Sequence, residues 1–223
     1  MFKLERKVDI VAFAALFIGL ISAGWQLKEF IVGARVKCIA PKQILIFAAN
    51  RGITTNLQVD ANLTYINSGA KGYPEAILRE MVRFEIADKT YELQWQKTVH
   101  SHRGAIDPTK LEIDEKDDAA PFAIDGGDVV THETNFQPEL VDRPGVARRI
   151  NFLEYDTFLH DIENIDEISF QISYETAKGK VATTSCLVKL DQQIKKELKE
   201  RHWSAPTCAI LERPSFTKKT NQF

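Results

Sequence analysis

Residues 82–96 read VRFEIADKTYELQWQ, and this stretch decides the fold class. Apolar Val82, Phe84 and Ile86 alternate with charged residues before Asp88, and after it apolar side chains again occupy every second position. A period of two is typical of a β-strand with one buried and one solvent-exposed face. Because a short polar turn separates the two alternating runs, we predict an antiparallel β-hairpin here.

Similar patterns continue on both sides of this hairpin. Alternating or apolar runs occur at 42–48, 57–65, 130–136, 168–174 and 182–190. Seven or eight short strands with turn residues between them are typical of an antiparallel β-sandwich. We therefore expect an immunoglobulin-like β-sandwich over residues 42–223.

Two short helices are expected within this domain. Asn151 is a candidate N-cap with Glu154 three positions later, which is the pattern of a capping box. Asp191 is a candidate N-cap for a second helix, in which Ile194 faces inward among charged residues. The stretch 100–118 has no clear period, and we expect a mobile loop there.

Residues 10–27, IVAFAALFIGLISAGWQL, contain no charged side chain. As an α-helix this stretch spans about 27 Å, close to the roughly 30 Å of a bilayer's hydrocarbon core. It is apolar on all sides, and Trp25 lies where an interfacial indole would. We expect a transmembrane helix here, preceded by a short tail at 1–9 and followed by a membrane-proximal connector at 28–41.

Two alternatives remain open for this segment. Its basic start and the small residues Ser22, Ala23 and Gly24 are also typical of a cleavable signal peptide, and an apolar helix can be buried in a core. Basic residues flank both ends, so their count does not choose an orientation. A short tail before a large domain favours a cytoplasmic N-terminus and an exported, periplasmic or extracellular, C-terminal domain.

The chain has three cysteines, at positions 38, 186 and 208. Cys186 falls on the apolar face of a predicted strand, and Cys208 follows the second predicted helix. We predict a disulfide between them, which stabilises by about 3 kcal/mol in the chain-entropy model and persists in oxidising compartments. The alternative is two buried free thiols. Cys38 is left unpaired.

No catalytic residue is predicted, because the common catalytic motifs are missing from the sequence. The His-Glu pair at His132 begins like a zinc-protease motif, but Phe136 stands where the second histidine is required. His100 and His102 lie two positions apart, so in a strand both imidazoles point the same way. Together with His132 or Cys38 they are candidate zinc or copper ligands. The alternative is a polar loop.

Acidic residues are concentrated in one region of the sequence. They are Glu112, Asp114, Glu115, Asp117 and Asp118, with Asp125 and Asp128 around the next turn. Converging carboxylates bind Ca²⁺ or support hydrolysis, but this spacing lacks the order of a helix-loop-helix calcium site. A solvated acidic loop is the alternative.

Composition and charge exclude some classes of function. A pI near 6.2 argues against nucleic-acid binding, and 13 Phe with 44% hydrophobic residues argue against disorder. Residues 1–37 carry a net charge of +3 and the remainder −5, which suits an acidic domain held off an anionic membrane surface.

We therefore expect a non-enzymatic binding or accessory subunit of a larger membrane assembly. Its expected partners are membrane lipid, through the N-terminal helix, and other membrane-protein subunits. No cofactor is expected. The alternatives are a protein that handles zinc or copper through Cys38 and the histidines, and an envelope hydrolase that uses the acidic loop.

Overall fold

A computed structural model describes residues 2–51, 54–86, 89–107, 109–138 and 154–210. The helices in this part of the chain are α1 (Phe2–Val32), α2 (Tyr155–Asp161) and α3 (Gln192–Arg201). The first strands are β1 (Val36–Ile39), β2 (Ile44–Arg51), β3 (Thr54–Asn67), β4 (Glu75–Ile86), β5 (Lys89–Arg103) and β6 (Leu111–Asp118). The others are β7 (Phe122–Ile124), β8 (Val129–Gln137), β9 (Glu167–Thr176), β10 (Val181–Lys189), β11 (Trp203–Ser204) and β12 (Cys208–Ile210).

The twelve described strands form one antiparallel sheet, which curls into a half-barrel. The order is β11-β2-β3-β8-β5-β4-β9-β10-β12, with β1 on β3, β6 on β5 and β7 on β4. Three strands separate β3 from β9, yet Tyr174 on β9 donates a hydrogen bond to the Val36 carbonyl on β1 at 2.9 Å. Residues 203–210 pair with both ends of the sheet, through β2 and β10. The expected immunoglobulin-like sandwich is therefore not confirmed.

The inner face of the curled sheet holds the hydrophobic core. Leu57 and Val59 on β3 are fully buried, as their alternation predicts. The ring of Phe84 on β4 lies 5.0 Å from Phe170 on β9 and 6.4 Å from Phe158 on α2. Burial of apolar area is the main favourable contribution to folding, about 25 cal/mol per Å². The strands of the predicted hairpin also pair as expected, with Phe84 opposite Tyr91.

The expectation of a mobile loop at 100–118 is wrong. Strand β5 continues to Arg103 and pairs with β6, which places His100 opposite Asp114 and His102 opposite Glu112. Side chains of β6 are mostly exposed, so the strand has no strong apolar period for sequence reasoning to detect. Backbone hydrogen bonds to β5 hold it instead.

The β5–β6 hairpin lies across the outer face of the sheet. The Ser101 hydroxyl donates to Asp60 on β3 at 2.5 Å, and the Ser101 N–H donates to Glu133 on β8 at 3.1 Å. Farther along the hairpin, the Trp203 indole N–H donates to the Thr109 carbonyl at 2.7 Å. The hairpin therefore adds a second layer over part of β2, β3 and β8.

The two short helices agree with the sequence to different extents. Helix α3 begins as predicted, because the Asp191 side chain accepts a hydrogen bond from the Ile194 N–H at 2.8 Å. The predicted cap Asn151 lies outside the described residues. Glu154 itself occupies the N-cap position of α2, and its side chain makes no capping hydrogen bond.

The connector expected at 28–41 contains the end of α1 and the strand β1. Strand β1 pairs with β3, so that Val36 lies opposite Asn67. Between helix and strand, Gly33 has a φ of 58°, in the left-handed region that glycine adopts at little cost. The domain therefore begins within four residues of the end of α1.

Asn67 fixes this junction. Its buried side-chain oxygen accepts hydrogen bonds from the N–H groups of Arg35 and Gly69, both at 3.0 Å. Its side-chain nitrogen donates to the carbonyls of Tyr73 and Ile124, also at 3.0 Å. One amide thus satisfies four backbone groups from three segments, which ties the exit of α1 to the loops at this end of the sheet.

Candidate functional site

A buried carboxylate forms the polar centre of the inner face. The fully buried Glu80 side chain lies 2.9 Å from the Nε2 atom of His132 and accepts a hydrogen bond from Thr134 at 2.8 Å. A register shift in β4 between Ile77 and Arg79 allows Ile77 and Glu80 both to face inward. Sequence reasoning missed Glu80, because a lone Glu in a strand is typical of a solvent-exposed face.

Aromatic rings surround the imidazole of His132. It stacks on Trp95 at 5.7 Å and on Tyr65 at 5.9 Å, and the Phe122 ring meets it edge-on at 4.6 Å. These rings and Glu80 occupy the space around the imidazole. His132 therefore acts as a packed, hydrogen-bonded member of the core.

The three candidate metal-binding histidines lie on different faces of the sheet. His132 faces inward, whereas its neighbour Glu133 faces outward and contacts the His100 ring at 3.6 Å. His100 and His102 stack at 5.6 Å, and His102 lies 3.3 Å from Glu112. Within the described ranges, no group of three or more His, Cys, Asp or Glu side chains is placed to hold a metal ion. The structure therefore does not assemble the predicted ligand set.

Cys38 has the environment of an inert thiol. Burial is the main cause that raises its pKa to about 12; the nearby Tyr65 hydroxyl lowers the pKa, and the Glu80 carboxylate raises it further. The thiolate is the form that attacks electrophiles and binds metals. A raised pKa disfavours the thiolate, so the environment of Cys38 does not favour the metal-handling alternative.

A second polar cluster lies on the outer face, beneath the β5–β6 hairpin. Burial is the main cause that raises the pKa of Asp60 to about 7, and hydrogen bonds from Ser101 and Asn135 offset part of that effect. The Asn135 amide donates to Asp60 at 2.5 Å and to the Gln58 side chain at 3.1 Å. Asp60 can therefore bind a proton near neutral pH while it holds the hairpin against the sheet.

The acidic stretch is part of strand β6 rather than a loop. Its carboxylates lie along an exposed strand and contact basic neighbours, as Glu112 contacts His102 and Glu115 contacts Lys97. Carboxylates that converge are required for a calcium site or an acid–base pair. This arrangement supports neither the calcium site nor the hydrolase alternative.

The structure contains the predicted disulfide between Cys186 and Cys208. Their Cα atoms are 5.4 Å apart, within the range of ordinary disulfides. The bond joins β10 to β12, so it secures the segment that pairs with both ends of the sheet.

Two open grooves lie on either side of α3. The α2–α3 groove has a volume of about 310 Å³ and carries Lys195, Lys196 and Lys199 together with Glu163 and Glu200. The β2–α3 groove is larger, about 400 Å³. Its lining residues are Phe47, Ala48, Ala49, Thr109, Lys110, Leu111, Ile113, Arg201, His202 and Trp203.

Comparison with known proteins adds no family to these observations. No protein-family model matches the chain, and no significantly similar sequence was found among curated proteins.

Proposed function

We propose that this chain is a single-pass membrane protein whose exported domain acts as a non-enzymatic binding or accessory subunit of a larger membrane assembly. The observation that carries the proposal is the exposure of α1. Its large apolar side chains between positions 11 and 27 are 57–71% exposed. In the described part of the chain, α1 is the one helix long and apolar enough to cross a membrane.

A lipid bilayer accounts for this exposure. Apolar surface in water is unfavourable by about 25 cal/mol per Å², and a helix satisfies its own backbone hydrogen bonds inside hydrocarbon. The ammonium group of Lys28 lies 5.2 Å from the Trp25 ring. An indole beside a cation suits the boundary between hydrocarbon and water, which is the role predicted for Trp25.

The disulfide supports export of the domain. Disulfides persist in the periplasm and outside the cell, whereas cytosolic thiols are kept reduced. We therefore place the β-domain on the oxidising side of the membrane and the N-terminus in the cytoplasm.

The short junction between α1 and the domain supports a role beside other membrane subunits. Hydrogen bonds of the Asn67 side chain to Arg35, Gly69, Tyr73 and Ile124 fix the chain where it leaves α1. Only Gly33 and Ala34 lie between the end of α1 and Arg35. The domain therefore lies close to the membrane, where neighbouring subunits reach it.

The polar centres of the domain do not support catalysis. Glu80 is engaged by His132 and Thr134, and Asp60 by Ser101 and Asn135. A catalytic group needs reach to a substrate atom. These buried groups use their hydrogen-bonding capacity within the fold.

Membrane extraction tests the anchor. We expect the wild-type chain to stay in the membrane fraction after an alkaline wash, and Leu16→Arg/Leu20→Arg to be released, because each Arg at mid-span costs about 3 kcal/mol. The matched control is Ile106→Arg/Val181→Arg, which changes two exposed apolar residues of the domain, 97% and 57% exposed. Release of the wild type, or a mature chain that begins at Trp25, contradicts the proposal.

Purification after in-cell cross-linking tests the accessory role. We expect a companion membrane protein at a stoichiometric ratio, identified by mass spectrometry after mild detergent extraction. The control is the Leu16→Arg/Leu20→Arg variant, which should lose the companion. A chain recovered as a lone monomer under the same conditions contradicts the accessory role.

A further inference from the structure

The β2–α3 groove has an apolar floor. Phe47 and Trp203 are buried at its base, opposite each other in the pairing of β2 with β11. Partly exposed Leu111 and Ile113 of β6 form the opposite wall. Leu111 and Ile113 thus expose apolar surface in a concave site over two buried rings, which is typical of a docking site.

The rim of this groove is cationic. Lys110 and Arg201 stand at its edge with His202, and none of its described lining residues is acidic. Acidic groups lie just outside this lining: Arg201 is 4.0 Å from Glu197, and Lys110 interacts with the carboxylate of Asp107. The domain as a whole is acidic, with a net charge of −5 after residue 37. A cationic rim on an acidic domain favours a ligand that carries carboxylates.

The α2–α3 groove lacks a purely basic lining. Glu163 and Glu200 stand among its lysines, so its charge is mixed and selects less clearly for an anion. The β2–α3 groove thus combines the larger volume with the clearer charge preference.

The β2–α3 groove lies far along the sheet from the exit of α1. Ala48 at the groove pairs with Leu57, whereas Asn67 at the other end of β3 pairs with Val36 beside α1. Ten residues of strand separate these pairs, about 33 Å at 3.3 Å per residue. This distance from the exit of α1, together with the apolar residues of the groove, favours a protein segment over lipid head groups as the source of the anionic groups.

We propose that the β2–α3 groove binds a segment of a partner protein in which Leu, Ile or Phe side chains are flanked by Asp or Glu. The apolar side chains pack on Phe47, Leu111 and Ile113, and the carboxylates pair with Lys110 and Arg201. This inference rests on the proposed function, because it names the surface through which the accessory subunit meets its partner.

Peptide selection on the full chain in detergent micelles tests the groove. The probe is a phage-displayed library of random twelve-residue peptides. We expect the enriched peptides to combine acidic with aliphatic or aromatic residues. Enrichment of basic peptides, or no enrichment, overturns the inference.

Charge reversal then locates the binding. For an enriched synthetic peptide, we expect Lys110→Glu/Arg201→Glu to raise the Kd measured by fluorescence anisotropy about tenfold or more. The matched control is Lys71→Glu/Lys180→Glu, two exposed lysines near the α1 end of the domain, with a change below about twofold. If both double variants raise the Kd to the same extent, the inference is overturned.

A neutral variant tests the apolar contribution. Leu111→Asn keeps the net charge of the chain and removes apolar surface from the β6 wall of the groove. We expect the Kd of the peptide to rise several-fold, at an unchanged melting temperature of the protein. Unchanged affinity overturns the apolar part of the inference. Displacement of the peptide by phosphatidylglycerol vesicles, but not by phosphatidylcholine vesicles, shows a lipid surface instead and also overturns it.

The outcomes separate this inference from the proposed function. A membrane-anchored chain with a stoichiometric companion but no peptide binding at the groove contradicts only the inference. Peptide binding by a chain that alkaline washing releases contradicts the membrane anchor and leaves the groove in place.

Discussion

Neighbouring residues of strand β3 are buried to the same extent on opposite faces of the sheet, but by different means. Leu57 and Val59, both 0% exposed, enter the apolar inner core. Gln58 and Asp60, 6% and 1% exposed, point outward; Asp60 is covered by the β5–β6 hairpin, and Gln58 accepts a hydrogen bond from Asn135 on β8. A polar face of a strand is therefore not always a solvent-exposed face, because hydrogen bonds to a second layer can replace those to water.

The two faces should respond differently to substitution and to pH. The inner face is stabilised by apolar burial, which depends little on protonation. The covered outer face depends on hydrogen bonds to a carboxyl group whose pKa lies near 7. Four measurements on the full chain in detergent test this contrast.

The largest effect is expected on the inner face, from Phe84→Ala. Phe84 is 1% exposed and packs on three other aromatic rings, so its removal leaves a cavity and should lower the free energy of unfolding by about 3–5 kcal/mol. Urea unfolding followed by tryptophan fluorescence measures the change. Phe84→Leu, which keeps most of the volume, is the control with a smaller loss. A loss below about 1 kcal/mol for Phe84→Ala contradicts a packed inner core.

The second effect concerns the covalent link at the end of the sheet. Replacing both bridged cysteines, Cys186→Ala/Cys208→Ala, should lower the free energy of unfolding by about 3 kcal/mol, because the unfolded chain is no longer constrained. Cys38→Ala is the control, since this thiol is unpaired, and should cost less. Equal losses would show that thiol packing, rather than the bond, provides the stability.

The third effect is a pH dependence of the covered outer face. The pKa of Asp60 rises from 3.8 in the unfolded chain to about 7 in the folded chain, so the folded state binds the proton more tightly. The stability that protonated Asp60 contributes is therefore complete below about pH 4, and it is lost as the pH rises through 7. Between pH 5 and 7.5 we expect a loss of about 2 kcal/mol in the wild type.

The variant Asp60→Asn isolates this contribution. Glu133 and His100 also face this cluster, through Ser101 and through their own contact, and they are present in both proteins. The difference between the two pH profiles of urea unfolding therefore reports Asp60 together with its electrostatic coupling to Glu133. Identical profiles would contradict a proton on Asp60 near neutral pH.

The smallest effect is expected where the outer face is uncovered. Arg83 and Glu92 pair across β4 and β5 at 2.8 Å, and both side chains are about half exposed. Arg83→Gln should change the free energy of unfolding by less than about 1 kcal/mol, because solvent screens exposed ion pairs. Thermal unfolding at low and high salt measures this, and a larger loss would show that a second layer also covers these strands.

Local patterns account for much of what could be predicted. Alternation identified the inward residues of β3, β4, β5, β9 and β10, and Asp191 was found because an N-cap depends on its own sequence neighbours. The cysteine pair was predicted from one buried strand position and one position after a helix. The function and the partner remain predictions, because they depend on molecules outside the chain.

Other features had no local pattern to reveal them. The sequence predicts a connector at β1 and a mobile loop at β6, because neither strand shows a strong apolar period. Glu80 and Asp60 are acidic residues in strands, which is a pattern typical of a solvent-exposed face. Their burial depends on a register shift in β4 and on the path of the β5–β6 hairpin, and both are set by contacts with distant residues.

The sequence alone determined that the chain is mainly β, that it begins with an apolar helix, and which side chains of most strands avoid water, because a period of two or a charge-free stretch is a property of neighbouring residues. Only the tertiary structure decided that the strands join in one curled sheet, that a hairpin covers part of its outer face, and that a groove with a cationic rim opens beside α3. Strand order and the approach of distant segments are set by long-range backbone hydrogen bonds. Every residue except proline offers the same N–H and C=O for such bonds, so a single sequence does not record them.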